Sequence, residues 1–455
     1  MAAHGPLYLM MICAALAQGC KRAPARSNVE ETALGTTDGL IKTSMSFSAD
    51  GQHVAFVATR DGRHVVVTDG KEGPSSYDGE ARPRLSPDGS RLAYTAQRGT
   101  SYIVVDNGKE RGAYDAVGTI VLSPDGHRLA FTMREGAVWR VVVDGTPQTP
   151  NDQIERDSLH FSPDGAHVSY LAKRGEKFVA IVDGEVISAA YNDVGSGTGI
   201  VFSPDGKRIA FVVPQPGQEL VVIDGKPQKS YSSIGSLVFS HDGRRFAYVA
   251  FQDKQAMVVL DGNDGKLYDT IGKSSMAFSA NGQRFAHVAE SQGKQLAVID
   301  GVAGTPFDGI REGSLSFSAD GKHVAYAATR GSHDVIVVDG VEGKEYDGTA
   351  GLAFTNDGRL IYRGSRGAKQ FAVVDGVEGP GYSFVTFPVA DPTGKHIAYI
   401  SERADALHLV VDGIESGSFD SFVPGSELVF DGPRALYGLA IRDDQLLRVK
   451  VSLSQ

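Results

Sequence analysis

Short apolar runs alternate with polar clusters along almost the whole chain, and the alternation repeats. Residues 199–235, GIVFSPDGKRIAFVVPQPGQELVVIDGKPQKSYSSIG, contain one full period. The run GIVFS is followed by SPDG. Pro has its φ already set for the first corner and Gly tolerates left-handed backbone at the exit, so SPDG predicts a tight turn. RIAFVV is a second run, and a polar hairpin leads to a third, ELVVI, which ends at Asp224-Gly225, another hairpin signal. KSYSS, around Tyr231, predicts a short fourth strand. Close copies of the opening stretch stand at 85–96 (LSPDGSRLAYTA), 122–133 (LSPDGHRLAFTM), 161–172 (FSPDGAHVSYLA) and 317–328 (FSADGKHVAYAA). The turn glycines are Gly51, Gly89, Gly126, Gly165, Gly206, Gly243, Gly282, Gly321, Gly358, Gly394 and Gly432, spaced 36 to 41 residues apart. They mark eleven units with a period near 38.

The third runs are apolar at successive positions, as in VVVDG (141–145) and AIVDG (180–184). A strand with one wet face would alternate, so these strands are expected to be buried on both faces, each sheet lying between two like sheets. Right-handed twist curls such a stack into a ring. The pattern therefore predicts an all-β chain, a β-propeller of about eleven four-stranded units over residues 30–455. The last unit holds three strands, and EETALGTT (30–37) precedes the first unit where a fourth strand would sit. An N-terminal strand is thus expected to complete the C-terminal sheet. Eleven blades exceed the usual four to eight, which favours two tandem rings over one oversized ring, with TPQTPNDQIERDS (146–158) as the candidate junction.

The repeated SPDGxRxAY/F resembles the TolB-type, WD-repeat-like propeller repeat across residues 44–453. The resemblance implies the fold. It implies no single activity, because that family spans scaffolds, sensors and accessory domains of peptidases. No Trp-Asp signature recurs. The one tryptophan, Trp139, separates the chain from quinone-cofactor propellers built on repeated Trp, so no cofactor is expected.

The formal charge of −10 argues against a nucleic-acid surface. Two cysteines, Cys13 and Cys20, exclude a disulfide framework or a cysteine zinc site in the folded body. The apolar run PLYLMMICAALA (6–17), followed by AQGC and the polar KRAPARSN, resembles a bacterial lipoprotein signal. The resemblance implies removal of residues 1–19, lipidation of Cys20 and a tether over 20–29. AQG also suits an ordinary signal peptidase. Either way the chain is expected to be exported. As a lipoprotein it would be periplasmic or outer-membrane-associated, touching the membrane only through its lipid.

Candidate chemistry is sparse. DGNDGKLYD (261–269) gathers Asp261, Asn263, Asp264 and Asp269, but Lys266 stands where an EF-hand loop needs Gly, so a hairpin is expected and no metal site. His53, His167, His323 and His396 share a slot that other units fill with Arg91, Arg128, Arg208, Arg245 and Arg284, which speaks for a half-exposed polar position. GSGTG (195–199) precedes a strand, unlike a phosphate loop, and no G-x-S-x-G elbow is present. Arg84 and His160 replace Val or Ser in the innermost strand and are candidates to face the channel. Ten of the eleven second hairpins carry a cation, among them Arg330 and Arg366, and acids such as Asp78, Asp115, Asp308 and Asp347 open the connections on the same face. Surface ion pairs, or a basic rim steering an anionic partner, would each follow. The reading is a non-catalytic exported protein that binds an envelope protein or glycan. The alternative is an envelope glycan hydrolase or lyase with its site in the channel. Three or more Asp, Glu, His or Arg side chains clustered at the channel would favour the enzyme.

Overall fold

The computed structural model describes residues 28–79, 81–188, 199–423 and 428–453; the segment 1–19, Cys20, most of the tether and most of GSGTG fall outside them. Among the described residues the regular structure is all strand, in eleven antiparallel sheets. Blades 1 to 11 span 40–77, 82–114, 116–147, 153–186, 201–231, 233–264, 270–303, 309–346, 348–378, 384–419 and 421–452. Blade 1 shows the pattern. Leu40–Phe47, Val54–Arg60, Arg63–Thr68 and Lys71–Tyr77 lie side by side in chain order, the first nearest the centre.

The turns form for the reasons the sequence offers. In blade 5 the buried Ser203 Oγ donates to Asp205 Oδ1 at 2.6 Å and accepts the Arg208 N–H at 3.0 Å, while Gly206 N–H closes the turn on the Ser203 carbonyl at 2.8 Å. Gly206 has φ +72°, where a side chain is strained. The Ser203 hydrogen bond holds the Asp205 carboxyl below the usual carboxylate range.

Second and third strands are buried on both faces, as their unbroken apolar runs require. Val54 through Ala58 are all buried. Alternate residues serve opposite neighbours: Tyr94 and Ala96 pack toward blade 1, Ala93 and Val104 toward blade 3. An edge-on aromatic pair bolts most interfaces, one ring from a fourth strand and one from the next blade's second strand. Examples are Tyr77–Tyr94, Tyr231–Tyr248 and Tyr346–Tyr362, with centroids 5.8 to 6.2 Å apart. Such pairs contribute about 0.5–1.5 kcal/mol each beyond area burial.

The ring is single. Every apolar cluster joins consecutive blades, and the series closes, with Val54, Phe56 and Val67 of blade 1 packed on Leu34, Val423, Leu439 and Leu446 of blade 11. No cluster among the described residues joins blade 1 to a middle blade, as a two-ring chain would need. The expectation of tandem rings is therefore corrected. Residues 146–158 are the connection from blade 3 to blade 4, with no junction between rings. The closing strand is where the sequence places it: Asn28–Thr36 pairs antiparallel with Gln445–Ser452 as the fourth strand of blade 11.

Candidate ligand-binding cleft

On the face carrying the SPDG turns, the shared His/Arg slot ties blades together. Eight of the nine named occupants bind the aspartate of their own Asp-Gly turn, as in His167–Asp183 at 2.6 Å and Arg245–Asp261 at 2.8 Å, and Arg91 binds Asp106, the residue before its Asn107-Gly108 turn, at 2.8 Å. The arginines reach further. Arg245 Nη1 donates to the Gln283 carbonyl of the next blade at 2.9 Å, and its guanidinium lies 5.4 Å from the Phe278 ring centroid. The residues of the calcium-like segment are likewise dispersed: Asp261 to Arg245, Asp264 to Lys229 and Tyr231, Asp269 to the Gln292 N–H. Among the described residues no three His, Cys, Asp or Glu side chains converge as a metal-binding group.

On the opposite, hairpin face, the connection acids mostly cap backbone. Asp78, Asp115, Asp308 and Asp347 accept the N–H of Gly99, Gly136, Gly331 and Gly367 at 2.6 to 2.9 Å. A further acid opening a connection in the sequence, Asp193, lies outside the described residues. Arg330 and Arg366 each pair with a glutamate in their own fourth strand and lie over an aromatic ring of the preceding blade. Arg330 meets Glu342 at 2.6 Å above Phe307, and Arg366 meets Glu378 at 3.1 Å above Tyr346. Their charge is thus compensated locally.

One column of residues divides the ring. The second residue of the third strand faces the next blade. In blades 5, 7, 8 and 9 it is Glu219, Gln295, Asp334 and Gln370, each accepting the N–H fifteen residues on, of Ile234, Ile310, Thr349 and Val385, at 2.7 to 3.0 Å. In blades 1 to 4 the same place holds His64, Tyr102, Trp139 and Phe178, all partly exposed.

Within that arc a cleft of about 1180 Å³ opens between blades 2, 3 and 4. Tyr102 and Trp139 form part of its wall, and Arg82, Arg84 and Arg156 line it. Gly118 keeps the space open: a Cβ there would lie 2.4 Å from Thr132 Oγ1 and 3.6 Å from the Trp139 ring. Arg134 sits 5.9 Å from the Trp139 centroid. Arg156 stands at the tip of a turn fixed by the buried Ser158, whose Oγ donates to the Glu155 carbonyl at 2.7 Å and accepts the Leu171 N–H at 3.1 Å. Arg84 is exposed on the strand Arg82–Leu85, which the neighbouring blade holds through Ser46 Oγ and the Leu85 N–H at 3.0 Å. No hydrogen bond or ion pair ties the side chain of either Arg84 or Arg156 among the described residues.

Of the candidates named from sequence, the cleft contains Arg84. His160 is exposed on the first strand of blade 4 but does not line the cleft, and Arg330 and Arg366 lie on blades 8 and 9. Tyr102, Trp139 and Arg156 were missed. A column-by-column alignment of the units would have exposed the aromatic run in blades 1 to 4.

No family model matches the chain, and no curated protein matches it. Several solved structures align with part of the chain at low identity. A crystal structure of a eukaryotic initiation factor aligns with 13% identity over 72% of this chain and 96% of its own, at a TM-score of 0.41. TolB from Acinetobacter baumannii aligns with 16% identity over 57% and 76%, at 0.26. The dihydro-heme d1 dehydrogenase NirN aligns with 18% identity over 66% and 65%, at 0.32.

Proposed function

We propose that this chain is a non-catalytic, exported propeller of TolB type that holds an envelope protein or glycan partner, anchored through a lipid on Cys20. The observation that carries the reading is the cleft between blades 2 and 4. It presents two arginines without partners and two partly exposed aromatic rings on a scaffold whose other charges are largely spent on ties between strands and blades. Ligand contact is assigned first to Arg84. His160 and the hairpin cations Arg330 and Arg366 complete the candidate set, the last two with their charge already matched by glutamates. Capture of a partner from envelope extract by the full chain, compared with its Arg84→Glu, Arg156→Glu variant, tests the reading; equal capture by both would remove the cleft from it. Cys20→Ser should move the protein from the membrane fraction to the soluble fraction, since stable anchoring needs the several chains a lipoprotein cysteine carries.

A second reading has one observation in its favour. Six charged residues line the cleft: Arg82, Arg84, Asp152, Glu155, Arg156 and Asp157. Asp152 is committed to the Gly175 N–H at 2.6 Å and Arg82 is also engaged. Glu155 and Asp157 remain beside the free arginines, which suits an envelope glycan hydrolase or lyase. Glycan turnover by the full chain, lost in Glu155→Gln, would replace the binding reading.

A further inference from the structure

We propose that the cleft between blades 2 and 4 takes an acidic oligosaccharide, a chain of hexose rings bearing carboxylates. The inference rests on the binding reading above and names its ligand. Its volume of about 1180 Å³ exceeds the range of roughly 300–1,000 Å³ usual for a single small molecule, so several linked units fit better than one. Its wall combines flat aromatic faces with polar groups. Tyr102 and Trp139 offer apolar faces to the C–H side of a pyranose ring. Gln97, Gln153 and Thr95 both donate and accept, as sugar hydroxyls do. Arg84 and Arg156 supply planar forks without partners, the geometry that grips a carboxylate through two parallel hydrogen bonds.

The column extends beyond the cleft, whose lining includes Tyr102 and Trp139 but neither His64 nor Phe178. His64, Tyr102, Trp139 and Phe178 occupy one equivalent position on four consecutive blades. Sheets packed face to face are roughly 10 Å apart, about the length of a disaccharide, so successive rings of the arc match alternate sugars of an extended glycan. In blades 5, 7, 8 and 9 this column caps a backbone N–H with an acid or amide, and in blades 6, 10 and 11 it holds the aliphatic Ala256, Leu407 and Leu446. Four adjacent blades forgo that cap in favour of aromatic surface. A peptide would want an enclosed apolar pocket for an anchoring side chain, and a nucleic acid would meet a chain of charge −10.

Trp139 is the one tryptophan of the chain, so its emission reports the cleft directly. The full chain is titrated with hyaluronan and alginate hexasaccharides and with their carboxyl-reduced, neutral forms. A saturable emission change with at least one uronate hexasaccharide is expected, with binding about tenfold or more weaker for its neutral form and for the Arg84→Glu, Arg156→Glu variant. Tyr102→Leu should weaken binding with the melting temperature kept. Equal binding of acidic and neutral forms overturns the assignment, as does the absence of any oligosaccharide binding. If no oligosaccharide binds but the double arginine reversal abolishes capture of an envelope protein, the glycan is wrong and the binding reading stands. If the reversal changes neither readout, both fall.

Discussion

His287 stands in the column where other blades place the second ring of the aromatic bolt. It is buried against Tyr268 and Phe285, and neither ring nitrogen has a partner. Burial holds its pKa down at about 4, below the 6.5 of an unfolded chain. The unfolded state therefore takes up the proton first. The contribution is intact above pH 6.5 and is lost as the pH falls from there toward 4, by up to about 3 kcal/mol at the acid end. His287→Tyr restores the ring used in most other blades and gives Tyr268 a hydroxyl partner. It should raise the melting temperature, more at pH 4.5 than at pH 7.5; an equal gain at both would show that His287 does not titrate in this window. Gly206 makes a second case. A Cβ there would meet the Asp164 carboxylate of blade 4 at 2.3 to 2.5 Å, whereas at Gly282 the nearest atom is Asp242 Oδ1 at 3.0 Å. Both have positive φ. Gly206→Val should cost about 1–3 kcal/mol and more than Gly282→Val, read as the difference in thermal unfolding.

At the scale of hairpins and turns, the ties differ in what they hold. Asp347→Ala removes the cap on the Gly367 N–H and should cost about 1 kcal/mol, with faster amide exchange confined to the tip of that hairpin. Arg245→Ala breaks a link to the next blade together with its stacking on Phe278, and should cost about 1–3 kcal/mol by denaturant unfolding. His396→Ala, with no reach to the following blade among its hydrogen bonds, should cost less. The sequence made the turns legible because SPDG and Asp-Gly chemistry is local. The closing strand was legible because one unit lacked a fourth run. The connection acids were harder to read. Their partners are backbone N–H groups, which carry no sequence signal, so a rim of ion pairs looked equally sound. The cleft was obscured for another reason: attention to the repeated turn draws the eye to positions that stay the same, and Tyr102, Trp139 and Phe178 lie where the repeat varies.

The whole ring rests on one closure. The eleven blades were legible but the number of rings was not, because nothing within a unit fixes how many units share a circle; small equal tilts between faces accumulate, and here each of the eleven interfaces turns by about 33°. Leu34, nearly fully buried, is the apolar member that the closing strand brings to the interface with blade 1. Deleting Asn28–Thr36 should leave Gln445–Ser452 as an unpaired apolar edge and produce association or a sharp fall in melting temperature, seen by size-exclusion chromatography and calorimetry. A monomer of unchanged stability would show that the last blade stands on three strands. Closure also sets an order in time. Asn28 pairs with Ser452, 424 residues later, so of the ring's strands the one made first is the last to find its neighbour. Until then the forming arc has two raw ends, and the final step must bear the entropy of joining them. A circular permutant with residues 28 and 453 linked, opened at the hairpin tip 292–293, makes this pairing early and local, and should lose the slowest refolding phase of the natural chain.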